Sequence, residues 1–213
     1  MIKRFELLED GVKRLGISAD GDRIEKIRKY LNEIELWNPK YSLVSEKDDL
    51  VSRHVLDSLA AERILKGYNF SSIADIGSGA GFPGIPLAIW MENIQFTLIE
   101  KSGKRADFLR NVKYVLKLDN VNIVNRDASE IKDNFDCIVF RALCPLTEEI
   151  IKMLTSLTAE NNGNRGIIAA YKGRKENIVK EIKNLDNLSV SSSVIPLEVP
   201  FLNEERNLLL IKL

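Results

Sequence analysis

A carboxylate, Asp75, stands just before three alternating glycines, Gly77, Gly79 and Gly81, and a second carboxylate, Glu100, follows 23 residues after Gly77. Glycine lacks Cβ and tolerates positive φ, so such a run turns tightly and lets a ligand approach its backbone N–H groups. A carboxylate at Glu100 accepts both hydroxyl protons of a ribose, a role the spacing favours over a solvated charge at a helix start. That spacing does not separate a group-transferring enzyme from a hydride-transferring one, because both place an acid there. Gly79-Ala80-Gly81-Phe82-Pro83-Gly84 also fits the dinucleotide pattern G-x-G-x-x-G, a weak signal alone. Pro83 sits where a pyrophosphate would need free N–H donors. The parse that begins at Asp75 is therefore the better one, and it suits a ligand without phosphates.

Elements that position these groups are legible as alternating patterns. Strands are expected at 72–77, 95–100, 120–125, 135–141 and 166–171, with helices near 84–91, 102–118, 145–159 and 174–185 between them. Residues 126–134 are too short and polar for a helix. Strands alternating with helices imply a parallel sheet covered on both faces. At the end, 190–199 and 207–213 read as strands with no helix between them, an antiparallel pair closing one edge of the sheet. Ahead of this unit, residues 1–66 read as helical. Ile24, Ile27, Leu31 and Ile34 recur at helical spacing, Asn38-Pro39 ends that helix, and Ser45 caps a third one carrying Leu50 to Ala60. The expected organisation is a helical extension over 1–66 packed on an α/β domain over 67–213.

Composition narrows the classes. Of 213 residues, 45% are hydrophobic and 29% charged, as in an ordinary globular chain, and no apolar run has the length of a membrane span. Cys137 and Cys144 make no disulfide framework and point to a reducing cytoplasm; with one histidine they also argue against a zinc site. Thirty-one basic residues balance 31 acidic ones, which argues against binding nucleic acid through bulk charge and leaves room for a local basic patch.

Asp75 with Gly77, Gly79 and Gly81, and the reversed terminal pair, resemble class I S-adenosylmethionine-dependent methyltransferases, whose Rossmann-like sheet has seven strands with the last antiparallel. Four segments narrow this. Trp37-Asn38-Pro39-Lys40-Tyr41-Ser42-Leu43-Val44, Arg53-His54-Val55-Leu56-Asp57-Ser58-Leu59, Asp75 to Leu87 with its two prolines, and Gly103-Lys104-Arg105 with Phe108-Leu109 resemble the bacterial 16S ribosomal RNA guanine-N7 methyltransferase family, also called glucose-inhibited division protein B. Arg141-Ala142 and Tyr171-Lys172-Gly173 fit it too. Ser42 and Ser129 depart from the family's usual Asn and Glu. The resemblance implies S-adenosyl-L-methionine as cofactor, 16S ribosomal RNA or the small ribosomal subunit as partner, and cofactor contacts at Gly77, Phe82, Ala128, Ser129 and Arg141. Asp75, Gly79 and Glu100 complete the expected cofactor set.

Guanine N7 carries a lone pair at neutral pH, so the reaction needs no general base, and no catalytic residue is assigned. His54 is read as structural. Arg141, ending a buried strand, needs a partner, with Asp57 and Asp75 as candidates. Lys104 and Arg105, together with Lys172 and Arg174, are the expected RNA contacts, weighed against a solvated face. A monomer is expected. Competing readings are a small-molecule methyltransferase under a helical lid and an NAD-dependent oxidoreductase.

Overall fold

The computed structural model describes residues 2–18, 20–45, 49–142, 145–161, 164–183 and 190–212. Its strands are β1 (Ser72–Ile76), β2 (Gln95–Ile99), β3 (Val121–Val124), β4 (Cys137–Arg141), a small hairpin of β5 (Glu160–Asn161) and β6 (Asn164–Arg165), then β7 (Ile167–Lys172), β8 (Ser191–Leu197) and β9 (Arg206–Lys212). Seven of them form one sheet in the order β3-β2-β1-β4-β7-β9-β8. The first five of that order are parallel, and β9 runs antiparallel to both β7 and β8. This is the class I methyltransferase architecture. Pro196 lies in β8, at the sheet's edge, where a missing N–H is tolerated.

Side chains along each strand alternate between two buried layers. Ile73, Leu98 and Val139 pack on one face with Leu8, Ile27, Leu87 and Leu109. Those partners come from α1 (Ile2–Arg14), α2 (Gly21–Tyr41), α5 (Gly84–Trp90) and α6 (Gly103–Leu116). Ala74, Ile76 and Ile168 face the other way, against Ile151 and Leu154 of α7 (Glu148–Ser156) and Ile178 of α8 (Lys175–Lys183). The N-terminal helices thus share one continuous core with the sheet.

Two expectations are corrected. Helix α2 does not stop at Asn38-Pro39; it runs to Tyr41 and closes at Ser42, whose left-handed backbone (φ 48°) donates its N–H to Asn38 O at 2.9 Å. Pro39 lies in the last turn, where its missing N–H removes one bond without interrupting a longer ladder. The expected cap at Ser45 adjoins residues 46–48, which lie outside the described residues; further on, Asp49 accepts from Val51 N at 3.0 Å and from Ser52 Oγ at 2.6 Å. That segment is also not one helix: it opens as a π turn, Val51–Leu56, with Val55 N bonded to Leu50 O at 3.1 Å, and continues as α3 (Asp57–Leu59) and α4 (Glu62–Lys66). Between β3 and β4 the chain makes a single 3-10 turn, Ala128–Glu130. Cys144 and the expected ends at 184–185 and 213 lie outside the described residues.

Candidate functional site

The corner between β1 and α5 is tied from beneath. Asp75 is wholly buried, and its Oδ2 accepts from Gly84 N at 3.0 Å. Burial pushes this carboxyl up to about 7, against the pull of that N–H and of Ser78. A Cβ on Gly84 would lie 2.6 Å from Asp75 Oδ2, so only glycine lets the acid reach the helix start. The sequence reading makes Asp75 a cofactor contact; in the structure its side chain is wholly buried, with Oδ2 on Gly84 N and Oδ1 without a hydrogen-bond partner among the described residues. The same bond removes an N–H that a pyrophosphate would need, which weighs against the dinucleotide parse.

Above Asp75 the chain turns through Gly77, Gly79 and Gly81 at φ of 69°, 59° and 96°. A Cβ at Gly81 would meet Ile85 Cγ1 at 2.7 Å. Glu100, at the end of β2, holds the turn: its Oε2 accepts from Gly79 N at 2.9 Å and its Oε1 from Ser102 N at 2.8 Å. Tyr30 of α2 reaches across the core to donate its hydroxyl to Ala80 O at 2.5 Å. Nothing in the sequence pattern announces that bond, since Tyr30 reads as one more core position.

Among the described residues two cavities open at the carboxyl ends of the strands, where the order reverses between β1 and β4 and open sheets take ligands. The first, ≈ 420 Å³, is lined by Gly77, Glu100, Lys101, Arg105, Asp127 and Ala128 among others. Its wall offers bare backbone, two carboxylates and the small Ala128, a donor set that fits an adenosine with a cationic amino-acid end. Ser129 is exposed and turned onto Asp127, to which its N and Oγ both donate, at 3.1 and 2.8 Å. Those bonds hold the Asp127 carboxyl below its usual range.

The second cavity, ≈ 410 Å³, is lined by Arg53, His54, Asp57, Arg141, Lys172 and Arg206 among others, and Ala142 borders both. Arg141 lines the second cavity and not the first. Its Nη1 donates to Arg53 O and Asp57 Oδ2, both at 3.0 Å, and its Nη2 lies 2.7 Å from His54 Nδ1. A guanidinium only donates, so His54 Nδ1 is the acceptor and the ring carries its proton on Nε2. Phe82, almost buried, lies under this group: His54 stacks on it at 4.9 Å and the Arg141 guanidinium sits 5.1 Å from its centroid. Phe82 supports the second cavity and lines neither. Asp57 also meets Arg206 Nε at 3.3 Å, while Glu204 bridges Arg206 and Arg53. Burial pushes the Asp57 carboxyl up, and the neighbouring guanidiniums pull it back.

Comparison with known proteins fits this geometry. Residues 23–209 match the GidB family, described as rRNA small subunit methyltransferase G. The chain belongs to that family. It is 37% identical over 193 residues to the Ribosomal RNA small subunit methyltransferase G of Borrelia hermsii, covering 88% of each chain. To the Treponema pallidum protein of the same name it is 39% identical over 213 residues, covering 96% of this chain and 92% of that one. A crystal structure of a putative O-methyltransferase from Klebsiella pneumoniae superposes with a TM-score of 0.62 at 12% identity, over 95% of this chain and 93% of that one, which shows the shared fold. As a GidB protein the chain is an S-adenosylmethionine-dependent methyltransferase.

The cations expected on RNA fare differently in this GidB protein. Lys104, Arg105 and Arg174 are exposed, and Arg105 also lines the first cavity. Lys172 is not a free charge: its Nζ pairs with Glu181 Oε2 at 2.6 Å. Arg206 and Glu204, which complete the network around Asp57, were not legible, because a charged turn ahead of a last strand carries no signal of its own. Among the described residues no cluster has the make-up of a metal site, and no helix is long and apolar enough to cross a membrane.

Proposed function

We propose that this enzyme transfers the methyl group of S-adenosylmethionine to N7 of a guanine in 16S ribosomal RNA. The observation that carries the reading is the pair of cavities that meet at Ala142: one walled by glycine backbone and the Glu100 carboxylate, the other by four cations. Gly77, Glu100 and Ala128 hold the adenosine side; Asp127 stands at the same wall. The second cavity takes the unstacked guanosine and its phosphate, a loop nucleotide being accessible where a paired one is not.

The bound cofactor supplies an electrophilic methyl on a sulfonium. The N7–carbon bond forms as the carbon–sulfur bond breaks, the sulfur keeps that electron pair, and the positive charge passes to the guanine ring. No proton moves, so the chain's residues align rather than abstract, an effect worth roughly 7–11 kcal/mol. Arg141 is held rigid by Asp57, His54 and the Arg53 carbonyl, and it keeps further N–H groups to orient the base. A closed small-molecule pocket is disfavoured by these open, cation-rich cavities and by the relatives' names. The enzyme is proposed to act as a cytoplasmic monomer, where ribosomal RNA is found.

The test is methyl incorporation from labelled S-adenosylmethionine into unmodified 16S RNA, naked and as assembled small subunits, with N7-methylguanine mapped by base-specific cleavage. No incorporation into either form overturns the reading.

A further inference from the structure

Helices α2 and α6 lie side by side and antiparallel. Glu33 accepts from Asn111 Nδ2 at 2.6 Å, and one turn further along α2 Trp37 meets the edge of Phe108 at 5.7 Å. Counting one more turn on each helix brings Tyr41 level with Lys104. Gly103, where α6 begins, comes three residues after Glu100, and Glu100, Lys101 and Arg105 all line the first cavity, so this end of the pair borders it.

An aromatic pair is displayed there. The half-buried rings of Trp37 and Tyr41 stack at 5.0 Å and 29°, and the exposed Lys40 holds its Nζ 5.4 Å from the Tyr41 centroid. The support is rigid: Ser42 closes the helix, and Asn38 Oδ1 accepts from Val44 N at 3.0 Å. Lys40 thus lies against the stacked rings, and Lys104 and Arg105 stand at the neighbouring start of α6, Arg105 at the first cavity. Stacked aromatics among cations are what single-stranded nucleic acid binds, with bases on the rings and phosphates on the charges.

We infer that Trp37, Tyr41 and Lys40 form a stacking platform for an unpaired ribosomal RNA base next to the target guanosine, continuous with the phosphate contacts of Lys104 and Arg105. This rests on the RNA methyltransferase reading, and it adds a docking surface that the two cavities do not contain.

The chain has two tryptophans, and Trp90 is buried with its Nε1 donating to Ser18 O at 2.8 Å, so Trp37 is the one a bound base reaches. The experiment titrates the full chain with a single-stranded oligoribonucleotide of mixed sequence, following tryptophan emission, with S-adenosylmethionine affinity measured in parallel by calorimetry. Quenching is expected in the wild type and absent in Trp37→Phe. Tyr41→Ala should weaken RNA binding roughly tenfold, Tyr41→Phe should restore it, and both should bind S-adenosylmethionine as the wild type does. Tyr41→Leu keeps the bulk without the π face and should match Tyr41→Ala if the latter folds poorly. RNA affinity indifferent to Tyr41→Leu, or quenching that persists in Trp37→Phe, overturns the platform. So does a response to assembled subunits without one to RNA, which would point to a ribosomal protein. Wild type that methylates 16S RNA while showing those results overturns the platform alone; wild type that methylates no ribosomal RNA overturns the parent reading.

Discussion

Arg141 and Asp57 stand 84 residues apart in sequence and meet at 3.0 Å, with Asp57 almost wholly buried. The pair fastens the π turn to the end of β4, so the His54 and Asp57 segment and the second cavity form together. His54 and Asp57, three residues apart across the junction of the π turn with α3, both reach one guanidinium.

Removing the acid leaves two guanidiniums, Arg141 and Arg206, facing a buried hole. Breaking a buried pair from one side costs about 3–5 kcal/mol. Both arginine side chains keep about a fifth of their surface in water, so Asp57→Ala should fall near the low end, about 3 kcal/mol. Urea denaturation at neutral pH measures it. A loss below about 1 kcal/mol would mean that water replaces the carboxylate.

Asp75 gives a pH dependence with a definite sign. Its carboxyl ionises near 7 in the folded chain against a usual 3.8, so between those values the folded state binds more protons than the unfolded one. The contribution is complete below pH 3.8, is lost as pH rises through 7, and is constant above that. Its slope is at most about 1.4 kcal/mol per pH unit. Asp75→Asn does not titrate, so wild-type stability measured relative to this variant should decline across that window. A flat difference would show that the buried carboxyl ionises normally.

The parallel sheet was legible because strands alternate with helices, and the reversed end because two strands follow without a helix between them; the strand order was not legible. Glu100 and Gly77, which line the first cavity, stand out in the sequence because glycine spacing and an acid after the second strand have a chemical meaning. The depth of Asp75 was not legible for a physical reason: sequence shows that an acid ends the strand and does not show which way it points, and the space left by Gly84 turns it inward. Asp57 as the partner of Arg141 was among the alternatives, since a charge ending a buried strand demands one. The bond from Tyr30 to Ala80 and the Glu204 bridge depend on three-dimensional closure between distant segments, which no local pattern encodes.

Glu100 holds the glycine turn and faces the first cavity, so its two roles can be separated with the ligand. Glu100→Gln should weaken S-adenosylmethionine binding about tenfold or more, since hydrogen bonds to a charged acceptor contribute about 1.5–3 kcal/mol. Much of that loss could come from the turn. A cycle with the 2′-deoxy analogue of the demethylated product isolates the ribose. The analogue's penalty should appear in the wild type and vanish in Glu100→Gln. Equal penalties in both, by calorimetry, would take the ribose away from Glu100.

Salt separates the basic residues by their pairing. A lysine that neutralises a phosphate releases counterions, so each lost contact on single-stranded RNA lowers the slope of log K against log salt by about 0.7. Exposed Lys104 should behave this way: Lys104→Ala weakens RNA binding, flattens the slope by about that amount, and leaves S-adenosylmethionine affinity unchanged. Arg105→Ala should reduce both affinities, because that residue also lines the cofactor cavity. Lys172 already has a carboxylate at 2.6 Å, so RNA gains little from it, and Lys172→Ala should leave the slope near the wild-type value while costing some stability through the stranded Glu181. Filter binding across a salt series distinguishes the three. If Lys172→Ala flattens the slope as much as Lys104→Ala does, then Glu181 releases its partner when RNA binds, and Lys172 itself is a phosphate contact.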